Sequence, residues 1–289
     1  MRRLPLILAT GLLLYFVAGC AESPATPAPT AVPSEAAPVV AAAPARPDAI
    51  RRMEDDFIAA EDLDQAAPTR RSIHERMAHY GVPGMGVAVI NGGQLLWAGG
   101  YGTLSADGDE PVTADTVFST GSVSKVAQAA LVMRLVQAGR LDVDTDVSTY
   151  LTRWQVPDGP FTADGPVTLR AILSHTAGFS QHGFADFEPG EALPTALDTL
   201  NGAAPAKHGP VRLMFAPGTR MDYSGGGYTV SQVLVEDVTG RAYADLVRSE
   251  VFEPLGMSRS TFVNPLPPGH GNIARAHDSR GQPRALPRG

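Results

Sequence analysis

Cysteine and lysine are nearly missing from this sequence, and each shortage narrows what the protein can be. One cysteine in 289 residues excludes an intramolecular disulfide framework, a thiolate-rich zinc site and an iron–sulfur cluster held by this chain alone. Acidic side chains outnumber basic ones, 30 to 23, for a formal net charge of −7. The basic field that non-specific nucleic-acid binding requires is therefore absent, and nucleic acid is not an expected partner. Only Lys125 and Lys207 are lysines; the other 21 basic residues are arginine. No internal repeat of domain-building length is present. The longest apolar run, Leu4 to Val17, is too short to cross a bilayer comfortably. An α/β-hydrolase elbow is missing, since Gly178-Phe179-Ser180-Gln181-His182 fails at its last position. A zinc-protease helix is missing too: His74 and His79 are five residues apart rather than four, which turns them onto different helical faces.

What is present begins with an export signal. Arg2-Arg3 followed by the apolar run reads as a signal peptide over residues 1–19. Its end, Val17-Ala18-Gly19-Cys20, resembles the lipobox of bacterial lipoproteins, which implies that Cys20 is lipidated and becomes the new N-terminus. Ala21 beside it implies outer-membrane sorting by the same resemblance. Without Arg2 and Arg3 the net charge is −9, so the lipid alone is expected to anchor the mature protein. From Cys20 to residue 47 the chain is rich in Ala, Pro, Ser and Thr, a composition that buries too little apolar area to offset chain entropy and reads as a tether. The folded part is expected over residues 48–289.

Within it, Asp48 to Tyr80 has a helical pattern around Ile50, Phe57, Ile58, Ile73 and Met77, stopped by Gly81-Val82-Pro83-Gly84. Met85–Ile90 and Gln94–Tyr101 flank Asn91-Gly92-Gly93 and predict an antiparallel hairpin. Thr120 to Gly139 predicts an amphipathic helix with Val126, Ala129, Ala130, Met133 and Val136 facing inward. Shorter helices are expected at Leu169–Ser174, Tyr228–Thr239 and Tyr243–Leu255.

Ser122-Val123-Ser124-Lys125 stands where the long helix begins. A serine there has its own N–H and the positive helix end beside it, suited to a developing oxyanion. A lysine three residues on lies on the same face, close enough to exchange a proton with the hydroxyl. Four residues are a weak motif, but arginine cannot act as a base and a desolvated lysine can, which makes a lysine at 125 informative in so lysine-poor a chain.

These residues resemble the penicillin-recognising serine hydrolases: class C β-lactamases, D-Ala-D-Ala carboxypeptidases and related esterases. Thr116 to Lys125 is similar to the nucleophile segment, Leu169-Arg170-Ala171-Ile172-Leu173-Ser174-His175-Thr176-Ala177-Gly178-Phe179 to an internal signature, and Phe215-Ala216-Pro217-Gly218 leading into Tyr223-Ser224 to the second catalytic motif. The likeness runs from about residue 68 onward. It implies an α/β (α+β) β-lactamase/transpeptidase-like fold, an antiparallel sheet flanked by helices plus a helical region. It also implies Ser122 as the acylated nucleophile, Lys125 as its proton partner and Tyr223 as the phenol that shuttles the proton, with Ser224 and Gly225 binding substrate. Which of Lys125 and Tyr223 is the first base stays open. His175 belongs to the signature and is expected to be structural. No metal and no organic cofactor is expected.

Two departures bear on function. Class C enzymes carry Tyr-x-Asn where this chain has Tyr223-Ser224-Gly225, so a substrate-binding amide is lost. The family's third motif, a strand with Lys-Thr-Gly or His-x-Gly, is not found in the 66 residues after Tyr223; Gly269-His270-Gly271 sits in a Pro/Gly-rich stretch and is read as a loop. The expectation is a C-terminally incomplete chain, lacking further strands, a second oxyanion N–H and a closing helix, with an open edge on the 85–101 hairpin. The expected activity is hydrolysis of a β-lactam, a D-alanyl peptide or a small ester through an acyl-enzyme at Ser122. The alternative is a disabled relative that serves as a cell-envelope binding lipoprotein.

Overall fold

A computed structural model of the chain describes residues 46–58, 64–65, 67–188, 190–267, 269–278 and 280–284. The expected signal peptide, Cys20 and the tether up to residue 45 lie outside the described residues. Helix α1 (Asp48–Glu54) starts directly after Pro47. The single helical stretch expected from Asp48 to Tyr80 is broken: α1 gives way to a small antiparallel pair, β1 (Phe57–Ile58) and β2 (Arg70–Arg71), and a new helix α2 covers Ile73–Tyr80. The reason is local. Pro68 keeps a helix from running into α2 from upstream, and Ser72 starts α2 through a reciprocal capping box with Glu75.

The hairpin forms where expected. Strands β3 (Gly84–Asn91) and β4 (Gln94–Gly102) pair with Met85 opposite Tyr101 and Val89 opposite Trp97, and a register shift follows at Val89/Ile90. Gly92 and Gly93, at φ +56° and +75°, supply the two left-handed residues that a tight hairpin turn needs. Trp97 and Tyr101 project from one face with Met85, Val87 and Val89 and pack against Ile50 of α1 and Ile73 and Met77 of α2, forming the smaller of two apolar clusters. Tyr101 donates to Glu54 at 2.6 Å across this cluster. Burial first, and that hydrogen bond second, push its phenol up to about 12. Among the described residues no third strand pairs with β3 or β4.

The larger cluster is helical. Helix α3 (Ser124–Gln137) supplies Leu131, Val132 and Leu135. They meet α4 (Leu169–Leu173), α5 (Ala196–Asn201), α6 (Gly225–Thr239), α7 (Tyr243–Val247) and the π-turn Arg248–Phe252. Each fully buried Leu or Val contributes about 1.5–3 kcal/mol relative to exposure. The inward face of α3 differs from expectation. Val126 and Met133 are 71% and 50% exposed, while Gln128, Leu131, Val132 and Leu135 point in. Between 126 and 136 only Gln128 and Arg134 are polar, so the period of apolar residues cannot say which face turns inward.

Three other boundaries move. Helix α6 starts at Gly225 rather than Tyr228, because Ser224 caps it; three glycines of low helix propensity hide that start. The helix expected over Tyr243–Leu255 changes to a π-turn after Val247, which keeps the adjacent Val251 and Phe252 both buried. Helix α5, capped by Thr195 and Asp198 and closed by Gly202, was signalled only by that Thr-x-x-Asp box. His270 lies in a turn region, its Nε2 3.1 Å from the Arg259 carbonyl.

Candidate active site

The nucleophile candidate stands in one 3₁₀ turn, Gly121–Val123, that runs directly into α3. Ser122 is exposed there and Lys125 is half-buried beside it. Lys125 Nζ donates to Ser122 Oγ at 3.1 Å, the contact that the three-residue spacing predicts. Tyr223, two residues before α6, closes the group from the other side, with its phenol near enough to Lys125 and Ser122 for both to lower its pKa. Lys125 Nζ also lies 4.8 Å from the ring centroid of Tyr223 and 5.3 Å from that of Tyr228.

These contacts separate the two phenols. Hydrogen bonding to Lys125, then to Ser122, holds Tyr223 below the ordinary tyrosine range. Burial and the neighbouring Tyr223 push Tyr228 up, and its hydroxyl donates to the Leu173 carbonyl at 3.2 Å. Two tyrosines in one site with opposed shifts divide naturally into a proton acceptor and a fixed donor.

The stretch after α4 is a backbone frame for the segment that carries Tyr223. Ser180 N–H donates to Arg212 O at 2.9 Å, Met214 N–H to Gly178 O, Gly218 N–H to Thr176 O and Asp222 N–H to His175 O, each of these three at 2.8 Å. Gly178 sits at φ +87°, and a Cβ there would lie 2.4 Å from the Phe215 carbonyl. His175 heads the frame at φ +59°, its ring stacked on Tyr223 with centroids 4.3 Å apart. His182 approaches the same phenol at 4.8 Å. Burial, then Lys125 and His182, hold His175 below the ordinary imidazole range.

Ser122, Lys125 and Tyr223 are thus brought together, as expected from the sequence. Ser224 and Gly225, expected to bind substrate, are not among the residues that line the surface these three share. Ser224 is 4% exposed; its hydroxyl donates to Ser180 O at 2.9 Å and accepts the Gly227 N–H, so capping α6 uses it up. Gly225 is buried with its N–H on the His182 carbonyl, and a Cβ there would meet Phe184 at 3.1 Å rather than open space. Cys20 lies outside the described residues. Sequence reasoning missed His182 and Tyr228, which no spacing rule ties to Ser122.

The open cleft at the site measures about 540 Å³ and is lined by Ser122, Val123, Lys125, Val126, Ala129, His175, Tyr223 and Tyr228. A second hollow, lined by Ser105, Asp107, Glu110, Asn272 and Arg275, holds none of these groups. Among the described residues no group of three His, Cys, Asp or Glu side chains is arranged to hold a metal ion.

Comparison with known proteins matches this architecture. Penicillin-binding protein 4 of Amycolatopsis lactamdurans is 35% identical over 186 residues, covering 64% of this chain and 46% of that protein. Esterase EstB of Burkholderia gladioli is 29% identical over 266 residues, covering 78% of this chain and 63% of that protein. The solved structure of an octameric penicillin-binding protein homologue from Pyrococcus abyssi superposes with a TM-score of 0.56 at 27% identity, over 74% of this chain and 49% of that one. The chain thus spans about half to two thirds of the length of these relatives. The Beta-lactamase family pattern matches residues 69–289, a stretch that contains the hairpin, the 3₁₀ turn with Ser122, the frame and Tyr223, and the chain therefore belongs to the Beta-lactamase family.

Proposed function

We propose that this chain is a serine hydrolase that forms an acyl-enzyme at Ser122. The observation that carries the reading is the 3.1 Å contact of Lys125 Nζ with Ser122 Oγ, beside the Tyr223 phenol whose pKa these two residues lower. In this reading Tyr223, whose phenol is held below the ordinary tyrosine range by Lys125 and Ser122, is the first base. Tyrosinate takes the Ser122 proton as Oγ bonds to the acyl carbon. Collapse of the tetrahedral species breaks the bond to the leaving alkoxide or amine, which receives the proton back from Tyr223. The same phenolate then activates the water that frees the acid.

The substrate class favoured by the cleft is a small neutral ester or amide. Its walls are Val123, Val126, Ala129 and two tyrosines, and Lys125, the one cation among its lining residues, is engaged with Ser122. A β-lactam or D-alanyl peptide brings a carboxylate that finds no uncommitted cation among those residues. The name of the EstB relative is in keeping with this class. We further propose that the chain is exported and held in the cell envelope by lipid on Cys20.

Intact mass of the full chain after exposure to a fluorophosphonate, and separately to a penicillin, tests the activity. One fluorophosphonate adduct per chain that Ser122→Ala abolishes is the expected result. A folded protein that gains no mass with either reagent overturns it and leaves the binding-lipoprotein reading, while a penicillin adduct of equal yield overturns the preference for neutral substrates.

A further inference from the structure

His175 touches the residue on each side of Tyr223 as well as Tyr223 itself. Its carbonyl accepts the Asp222 N–H at 2.8 Å, its Nδ1 accepts the Ser224 N–H at 3.1 Å, and its ring lies on the phenol at 4.3 Å with planes 30° apart. Because Nδ1 accepts, the ring proton of a neutral His175 sits on Nε2. We propose that His175 is the positioning residue of Tyr223, a neutral imidazole that fixes the backbone on both sides of the phenol and plates its face, so that the phenol oxygen stays on Lys125 and Ser122. This rests on the acyl-enzyme chemistry proposed above.

The backbone carries an independent sign of the same role. A residue other than glycine at φ +59° is held in a sparsely populated left-handed conformation, which persists only where the surroundings over-determine it. Here the frame supplies that determination. The groups facing the ring are Lys125 from α3, Tyr223 before α6, Tyr228 within α6 and His182 from the loop after the frame. Among the described residues no carboxylate pairs with it to support an imidazolium. Protonation would set an Nδ1–H against the Ser224 N–H and a second cation beside Lys125, so the clamp opens on acidification. Burial first, with Lys125 and His182 beside the ring, holds the imidazole below its ordinary range and keeps the clamp closed near neutrality.

Two variants separate the parts of the clamp. His175→Phe keeps a ring to stack but loses the acceptor. His175→Asn loses the ring, but its Oδ1 can accept the Ser224 N–H and asparagine tolerates positive φ. The experiment is the burst of p-nitrophenol from p-nitrophenyl acetate, followed in the full chain from about pH 5 to 9. His175→Phe is expected to slow acylation about 10²-fold, the scale of an ångström misplacement. His175→Asn is expected to stay within about tenfold of the parent and to lose the extra steepness of the parent's acid limb, keeping only the fall that protonation of Tyr223 itself produces. An acid limb unchanged in His175→Asn, or acylation by folded His175→Phe within about threefold of the parent, overturns the proposal. If His175→Phe does not fold, the pH profile of His175→Asn decides. A second readout needs no turnover: ultraviolet titration of tyrosinate, with Tyr223→Phe subtracted, should show the Tyr223 ionisation moved up toward the ordinary tyrosine value in His175→Phe. If the parent gives neither burst nor adduct while this shift is seen, the hydrolase reading fails and the positioning of Tyr223 stands; if a burst is seen without the shift, the positioning fails alone.

Discussion

Gln128 Nε2 donates to the Tyr228 carbonyl at 2.7 Å and to Ser231 Oγ at 2.5 Å, a buried polar tie between the helix that follows Ser122 and the helix that follows Tyr223. Three residues beyond Lys125, Gln128 is 7% exposed amid Leu131, Val132 and Leu135. Gln128→Leu keeps the volume and removes the donor. Ser231 Oγ still donates to Tyr228 O at 3.0 Å, so the carbonyl is not orphaned and the expected cost is about 1–3 kcal/mol. A shift of the urea midpoint at constant slope measures it. A loss below that range means the two helices are held by apolar packing alone.

Tyr223 as first base makes the acylation rate depend on pH in a definite direction. The unprotonated phenol is the active form, so the rate climbs with pH and levels off at a value below the ordinary tyrosine pKa of about 10, because Lys125 is the largest cause of the depression. Tyr223→Phe should lower acylation by about 10²–10⁴-fold and flatten this limb. Lys125→Met should move the plateau upward, toward the ordinary value. Stopped-flow acylation across the alkaline range is the measurement, and a plateau that stays in place in Lys125→Met removes Tyr223 from the role of base.

Phe184 occupies the space that a side chain at 225 would enter. A Cβ on Gly225 meets the Phe184 ring at 3.1 Å and the His182 carbonyl at 3.3 Å, contacts tighter than a well-packed core normally holds. Gly225→Asn alone should therefore destabilise by about 1–3 kcal/mol, the usual cost of overpacking. Phe184 is 42% exposed, so Phe184→Ala loses little packing and opens the space. In the double variant the asparagine should be tolerated, with a coupling of about 0.5–3 kcal/mol in a double-mutant cycle. Strict additivity of the two changes would mean that the ring yields freely.

Some of this was legible from single residues and some from none. Lys125 stood out because lysine is so scarce in the chain, and the hairpin because Asn91-Gly92-Gly93 interrupts two apolar runs. The face of α3 was not legible, since Val126 and Met133 are as apolar as Leu131 and Leu135 and only tertiary packing chooses between them. The break between α1 and α2 was written in Pro68 and in the Ser72–Glu75 box, local signals outweighed by a run of helix-compatible residues. Ser224 and Gly225 were placed by likeness to a motif, which aligns positions but does not say that Ser224 Oγ will be consumed by a cap. The clamp by His175 joins residues 49 apart, and no periodicity reports such a contact.

Glycine at 178 and glycine at 92 both lie at positive φ, +87° and +56°, yet a Cβ at 178 would lie 2.4 Å from the Phe215 carbonyl while one at 92 meets nothing within 4 Å. Gly92→Ala pays only for the left-handed backbone, about 1–2 kcal/mol. Gly178→Ala adds a collision with backbone that belongs to the frame under Tyr223 and should cost more than about 3 kcal/mol, enough to lower the soluble yield of a marginally stable domain. Denaturation midpoints of the two variants, compared side by side, check the difference. Equal midpoints would mean that the frame can shift to admit a methyl group and is not the rigid support assigned to it.

Asp237 on α6 has a fully buried carboxylate that accepts the N–H groups of Thr152 at 2.7 Å and Arg153 at 3.0 Å and pairs with the Arg153 guanidinium. Burial raises its pKa, but the hydrogen bonds from Thr152 and Arg153 prevail and hold it below the ordinary carboxylate value. A depressed carboxylate contributes stability that is complete above its unfolded pKa of about 3.9 and is lost as pH falls through the folded value. Asp237→Asn keeps one acceptor, which can serve the two N–H groups or the Arg153 guanidinium but not both, and it removes one of the two carboxylates paired with Arg153. Because Arg153 is 45% exposed and keeps Glu236, a loss of about 1–3 kcal/mol is expected, the scale of a broken hydrogen bond to a charged group. The variant should also lose part of the acid dependence of unfolding below about pH 4. Urea titrations of parent and variant at neutral and acid pH read both effects. A variant with the same loss at both pH values would show that the carboxylate acts through shape and hydrogen bonding, with no contribution from its charge.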